Sequence, residues 1–334
     1  MTDAAIERVR APGRVNLIGD HTDYTGGLVL PMAIDRATEI EFRPIPDRIR
    51  LTSDTEPDGI DLALPVDRAD VTGVRPAWGR YVAAVAAEMG STAGFEGRVT
   101  TTIPVGAGLS SSAALEVAVA LALGAHDPVD VATLCQRAEN RATGVPTGIM
   151  DQLCIAAADE GSAMLIDCST LAMVPVEVPD HVEILVRFVA HRTLEGSAYG
   201  DRVRECADAE AVIGPLREAT TADLDRIDDP HVRARARHVI TENARVRDFA
   251  RALADGDAAA AGQVMTDGHR SLRDDFETST PVMDTAVHDL CATPGVYGAR
   301  MTGGGFGGCV VALCRPGLDL DGWVVRPAGG ARRY

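Results

Sequence analysis

Pro104-Val105-Gly106-Ala107-Gly108-Leu109-Ser110-Ser111-Ser112-Ala113-Ala114 joins two kinds of local structure in one short run. Upstream, Val99, Thr101 and Ile103 recur at every second position, which predicts a strand ending at Pro104. Downstream, Ser110 to Ala125 is apolar almost throughout and predicts a helix. Glycines between them let the backbone take left-handed conformations and approach an anion closely. The helix start adds unpaired N–H groups and a positive dipole end, so the run can cradle phosphate. Its serine hydroxyls can donate to phosphate or ligate Mg²⁺. A glycine–serine helix start also serves as a plain cap. Three consecutive serines after Gly-x-Gly-Leu favour phosphate.

Working outward, Glu139 lies in the next helix, read as capped by Asp130 and running to Gly144. A Pro/Gly-rich turn, Gly144-Val145-Pro146-Thr147-Gly148, then delivers Asp151. Two carboxylates can divide labour, one holding a metal while the other attracts the proton of an attacking hydroxyl. Ordinary solvated surface is the alternative for both. Near the C-terminus, Arg300-Met301-Thr302-Gly303-Gly304-Gly305-Phe306-Gly307-Gly308-Cys309 places a bare loop between two apolar strands, which argues against a flexible linker. Near the N-terminus, Arg14, Asp20, His21 and Asp23 cluster among glycines. Such carboxylates and an imidazole suit the vicinal hydroxyls of a neutral sugar. A cation is the competing ligand, but no further histidine stands at a matching spacing.

The remaining pattern mixes strands and helices in both halves. Strands are expected at 7–10, 28–32 and 38–42, a turn at Pro44 to Asp47, and helices near 205–212, 239–253, 258–272 and 282–290. This indicates α/β or α+β layers in two lobes, 1–182 and 183–334. The chain has 334 residues and no lysine, all 32 basic residues being arginine. P-loop kinases and protein kinases, which need a lysine on the phosphates, are excluded, as are Schiff-base enzymes. A net charge of −17 repels nucleic acid and anionic membrane, so neither is an expected partner. The acidic start, Met1 to Glu7, does not resemble a signal peptide. No apolar run has the length of a membrane span. Seven cysteines without paired spacing are read as free thiols, and the protein is expected in the cytoplasm.

Together these segments resemble the galactokinases, members of the GHMP kinase superfamily. Arg14 to Gly27 is similar to their N-terminal signature, Gly106 to Ser112 to the phosphate-binding motif, and Thr302 to Cys309 to the third motif. Ser197-Ala198-Tyr199 with Arg202 and Glu205-Cys206, and His269 to Glu277, extend the likeness. The resemblance implies an α+β, two-lobed GHMP kinase fold. Its N-terminal lobe would resemble domain 2 of ribosomal protein S5, its C-terminal lobe a ferredoxin, with the active site between them. It implies ATP and Mg²⁺ as cofactors, a small-molecule sugar as substrate, a monomer, and the conversion of ATP and D-galactose to ADP and α-D-galactose 1-phosphate. Asp151 would be the catalytic carboxylate, with Arg14 beside it. Ser112 and Glu139 would ligate Mg²⁺. The backbone of Gly106, Ala107, Gly108, Leu109, Ser110, Ser111 and Ser112 would wrap the phosphates. Asp20, His21, Asp23, Gly148 and Tyr199 would hold sugar hydroxyls, Trp78 and Tyr81 would flank adenine, and Ser53 would touch the nucleotide.

Three departures stand out. Asp20 replaces a usual glutamate, Thr147 replaces a frequent cysteine, and the segment from Arg315 to Pro327 lacks a usual helix. The first keeps open a kinase for N-acetylgalactosamine or a pentose. A catalytically silent sugar sensor is the reading from another class, opposed by the presence of Ser110–Ser112, Glu139 and Asp151.

Overall fold

A computed structural model describes residues 5–191 and 197–334. The first four residues, part of the start read above, lie outside it. The N-terminal half contains β1 (Glu7–Asn16), β2 (Leu28–Val29), β3 (Pro31–Pro46), β4 (Arg48–Ser53), β5 (Ile60–Ala63), α1 (Gly79–Met89), β6 (Ala93–Thr101), α2 (Ser111–Ala122), α3 (Pro128–Thr143), α4 (Met150–Ala157), β7 (Ser162–Asp167) and β8 (Ala172–Glu177). The C-terminal half contains β9 (Glu183–Ala190), α5 (Ser197–Ile213), α6 (Pro230–Ala254), α7 (Ala258–Asp274), α8 (Pro281–Cys291), β10 (Val296–Met301), β11 (Gly308–Cys314), β12 (Trp323–Val325) and β13 (Arg332–Arg333).

These form a sheet in the order β13-β1-β3-β6-β4-β5, a second in the order β10-β11-β9-β12, and a small third, β2-β7-β8. The first sheet is antiparallel except where β4 runs parallel to β6. The last strand therefore returns across the sequence division at residue 182 to pair with β1, Val9 opposite Arg333.

Helix α2 is the centre of the first core. Every residue from Ala113 to Ala122 is buried, against β1 and β3 on one side and α1, α3 and α4 on the other. Alanines recur along it, so strand and helix backbones can approach closely. In the C-terminal half, α7 and α8 cover β10, and α6 lies on α7. A second core gathers there around Leu272, Phe276, Met283 and Met301.

Several local expectations shift. The N-cap of α3 is Asp127, whose carboxylate accepts from the N–H groups of Val129 and Asp130, and not Asp130 itself. Pro128 fixes the first helical residue, and a proline favours that position because its missing N–H costs nothing there. The expected turn at Pro44–Asp47 narrows to Asp47, because β3 continues to Pro46 along β6. The strand expected at 28–32 divides at Leu30, whose backbone pairs with Leu17 and Ile18. After β11 the chain runs from Arg315 to Gly322 without a helix and enters β12, which extends the second sheet by pairing with β9.

Candidate active site

The phosphate-type loop lies directly on β1. Arg14 N–H donates to Leu109 O at 3.2 Å. Gly106 and Gly108 take φ of 76° and 82°, which only glycine adopts cheaply, and Ser110 follows at 58°. Helix α2 therefore begins one residue later than its apolar pattern suggests, at Ser111. Its first intrahelical bond runs from Ala114 N–H to Ser110 O at 3.0 Å, so the preceding amides remain for an anion. Ala107 and Leu109 are buried in the core.

Asp151 enters in the first turn of α4. Its Oδ1 accepts from Arg14 Nε at 2.6 Å, and its Oδ2 accepts from both Arg14 Nη2 and the Ser110 hydroxyl. Arg14, 4% exposed, also donates Nη1 to Gly108 O at 2.7 Å. One guanidinium thus joins the glycine loop to the carboxylate. Nearby, the Ser112 hydroxyl donates to Glu139 Oε1 at 3.0 Å, and Gln152 Nε2 to Glu139 Oε2 at 2.8 Å. Burial, and then the charge of Asp151, push Glu139 above the usual carboxylate range. Thr147 anchors the preceding turn: its N–H and hydroxyl both reach Asn140 Oδ1, at 2.9 and 2.8 Å.

The N-terminal signature supplies a second wall. A 3-10 turn at Asp23–Thr25 sets Asp23 against Gly148. A Cβ at Gly148 would lie 1.9 Å from Asp23 Oδ2, so only glycine admits that approach. Burial first, and Asp151 second, raise the Asp23 carboxyl to about 7. His21, also at positive φ, presents Nδ1 to the Tyr24 hydroxyl at 3.1 Å. Its ring centroid lies 5.5 Å from Tyr199 and 4.6 Å from Phe276. Asp20 is buried, with Oδ2 accepting from Arg300 Nη2 at 2.8 Å and Oδ1 from Gly303 N–H at 2.7 Å.

These groups share one cavity of about 750 Å³. Arg14, Asp151, Ser110, Ser111, Ser112 and Glu139 line it, as do Asp20, His21, Asp23, Gly148 and Tyr199. Ser53, Trp78, Tyr81, Gly106 and Gly108 also line it, whereas Ala107 and Leu109 of the expected phosphate-wrapping run do not. Trp78 is pinned by its indole N–H to Asp58 O at 3.0 Å. Sequence reasoning assigned no role to Tyr24, Phe276, Arg80 or Gly303. The first two belong to the aromatic cluster around His21, and the last two line the cavity. Arg80 stands between Trp78 and Tyr81, so the resemblance that named those two pointed to its neighbourhood; nothing pointed to a role for Phe276. Among the described residues, no three His, Cys, Asp or Glu side chains converge as a metal site, and the Asp20-His21-x-Asp23 cluster does not form one. No helix among them is long and apolar enough to cross a membrane.

Three family models match the chain. They are the galactokinase galactose-binding signature over residues 3–44, the GHMP kinases N terminal domain over 78–158 and the GHMP kinases C terminal over 249–321. Galactokinase from Chloroflexus aggregans is 42% identical over 328 residues, and that from Homo sapiens 40% identical over 324. Each alignment covers 91% of this chain and 83% of the relative. The crystal structure of Lactococcus lactis galactokinase complexed with galactose superposes with a TM-score of 0.89 at 31% identity, covering 98% of this chain and 95% of that one. The expected α+β fold is thus the GHMP kinase fold, and the chain belongs to the galactokinase family.

Proposed function

We propose that this protein transfers the γ-phosphoryl group of ATP to the anomeric hydroxyl of galactose, giving ADP and α-D-galactose 1-phosphate. The observation that carries the reading is the convergence of Asp151, Arg14 and Ser110 at the mouth of the glycine–serine loop. The acceptor hydroxyl approaches Asp151, which orients it and attracts its proton. Arg14 holds that carboxylate in a two-point pair and adds positive charge beside the transferring group, work done by lysine in other kinases. The loop amides and the α2 N-terminus hold the nucleotide phosphates. Trp78 and Tyr81 flank the adenine and Ser53 touches the nucleotide. His21, Asp23, Gly148 and Tyr199 surround the sugar.

Ser112 and Glu139 are hard oxygen donors side by side on the cavity wall, which fits Mg²⁺ completed by phosphate and water oxygens. When bound there, the ion neutralises charge on the nucleotide phosphates. We assign residues 1–182 and 183–334 to the two lobes, with β13 crossing back to the first. Free cysteines support a reducing, cytoplasmic setting, and a net charge of −17 supports a monomer.

A coupled ADP-release assay against hexoses and pentoses, N-acetylgalactosamine included, tests the reading. Galactose should give the highest kcat/KM. Sugar binding without ADP release would indicate a sensor instead, and a better pentose or amino sugar would move the substrate.

A further inference from the structure

Asp20 was grouped by resemblance with the residues that hold sugar hydroxyls, yet its carboxylate is committed to the protein on both oxygens. Arg300, fully buried, donates Nη2 to Asp20 Oδ2 at 2.8 Å and Nη1 to Glu242 Oε1 at 2.7 Å. Glu242, equally buried, accepts from Gly19 N–H at 3.0 Å and from Arg245 Nε at 2.6 Å. The Asp20 carbonyl meets His238 Nε2 at 3.1 Å. Its Oδ1 accepts from Gly303 N–H at 2.7 Å, in the glycine loop that lines the cavity. Only 1% of Asp20 is exposed.

Two cavity walls far apart in sequence are fixed to each other through this carboxylate. One is the turn that presents His21; the other is the Gly303–Gly304 loop. The charges are matched in place, Arg300 between Asp20 and Glu242, and each Asp20 carboxylate oxygen accepts from a buried protein donor. A buried ionic group held this way serves register and orientation well, since its alternatives leave an unpaired charge inside.

We propose that Asp20 is a positioning residue that locks the His21 turn to the Gly303 loop through Arg300, and that it holds no sugar hydroxyl of its own. The inference rests on the galactose reading. A sugar ligand and a brace respond differently to trimming the substrate. Removing a hydroxyl from the sugar cancels the penalty of losing its protein partner, whereas a misplaced wall penalises every sugar alike.

The experiment compares wild type with D20N on galactose and on 2-, 3-, 4- and 6-deoxygalactose, using folded protein verified by circular dichroism. D20N should lose roughly tenfold to a hundredfold in kcat/KM on galactose, as small misplacements do. The same factor should appear on each deoxy sugar that turns over. A penalty that disappears with one deoxy sugar overturns the proposal and names the hydroxyl that Asp20 holds; wild-type rates from D20N overturn it as well. R300M provides the second arm: D20N added to R300M should cost little more, while additive losses count against the brace. If R300M does not fold, the deoxy-sugar series on D20N decides alone. Failure of wild type on galactose is a failure of the substrate reading; the deoxy series of the sugar that does turn over then tests the brace.

Discussion

Arg14 and Asp151 meet in a two-point pair, Nε on Oδ1 at 2.6 Å and Nη2 on Oδ2, although 137 residues separate them. A planar guanidinium facing a carboxylate fixes the carboxylate's orientation as well as its charge. Asp151 keeps part of its surface on the cavity, so it is held without being sealed off.

Replacing that carboxylate by an amide therefore removes both charge and fork geometry. D151N should lower kcat by at least about a hundredfold, the low end of general-base effects, while ATP still binds. Initial rates and nucleotide titration check this; turnover near that of wild type would take Asp151 out of the reaction.

The Ser112–Glu139 pair makes a separate prediction. S112A and E139Q should each raise the Mg²⁺ concentration for half-maximal rate by about tenfold or more. Galactose binding measured by calorimetry without nucleotide should stay as in wild type. An unchanged Mg²⁺ dependence in both variants would move the metal elsewhere.

Asp23 sets a pH dependence. Its carboxyl rises from 3.8 to about 7 because burial and the charge of Asp151 disfavour ionisation, Asp20 adding to them and the Tyr24 N–H opposing. A folded-state value above the unfolded one means that the folded chain holds the extra proton between the two. Stability from this group is thus complete at the acid end and is lost as pH rises from 3.8 towards 7. D23N should flatten that part of the stability curve in urea titrations across the range. A wild-type curve already flat there would contradict the buried, charge-opposed environment.

Glu116 offers a test away from the reacting groups. It is fully buried on α2, and burial, then the charge of Glu139, push its carboxyl well above the usual range. The sign is the same: the folded chain keeps the proton, so wild type loses stability as pH climbs above 4.5. E116Q imitates the protonated form. Near pH 8 it should be more stable than wild type, because it carries no charge to bury. The difference should narrow towards pH 4.5, and thermal melts at both ends measure it. A less stable E116Q at the alkaline end would mean that the carboxylate is ionised and satisfied.

What could be read in advance was local. The glycine–serine run gave its own strand, turn and helix because φ preferences and apolar spacing act over a few residues. For the same reason Asp151 could be placed just beyond a tight turn, and α6, α7 and α8 could be found from their spacing. Caps were less legible: Asp127 and Asp130 both suit the start of α3, and only Pro128 separates them. The Asp20–Arg300–Glu242 chain was hidden, since no periodicity links positions 20, 242 and 300. Phe276 behind His21 was hidden likewise, because a phenylalanine near a helix end reads as ordinary core. The return of β13 to β1 had no sequence signal either, as two paired residues are too few to show a strand pattern.

That return has a consequence for the surface of the first sheet. β1 carries Arg14, and its outer edge is closed at Val9 and Arg10 by Arg332–Arg333, with Tyr334 N–H on Arg8 O at 2.8 Å. A bare strand edge offers its unpaired N–H and C=O groups to any passing strand. Over these residues β13 takes that place, so the strand that carries the key guanidinium is shielded there from stray pairing with another molecule.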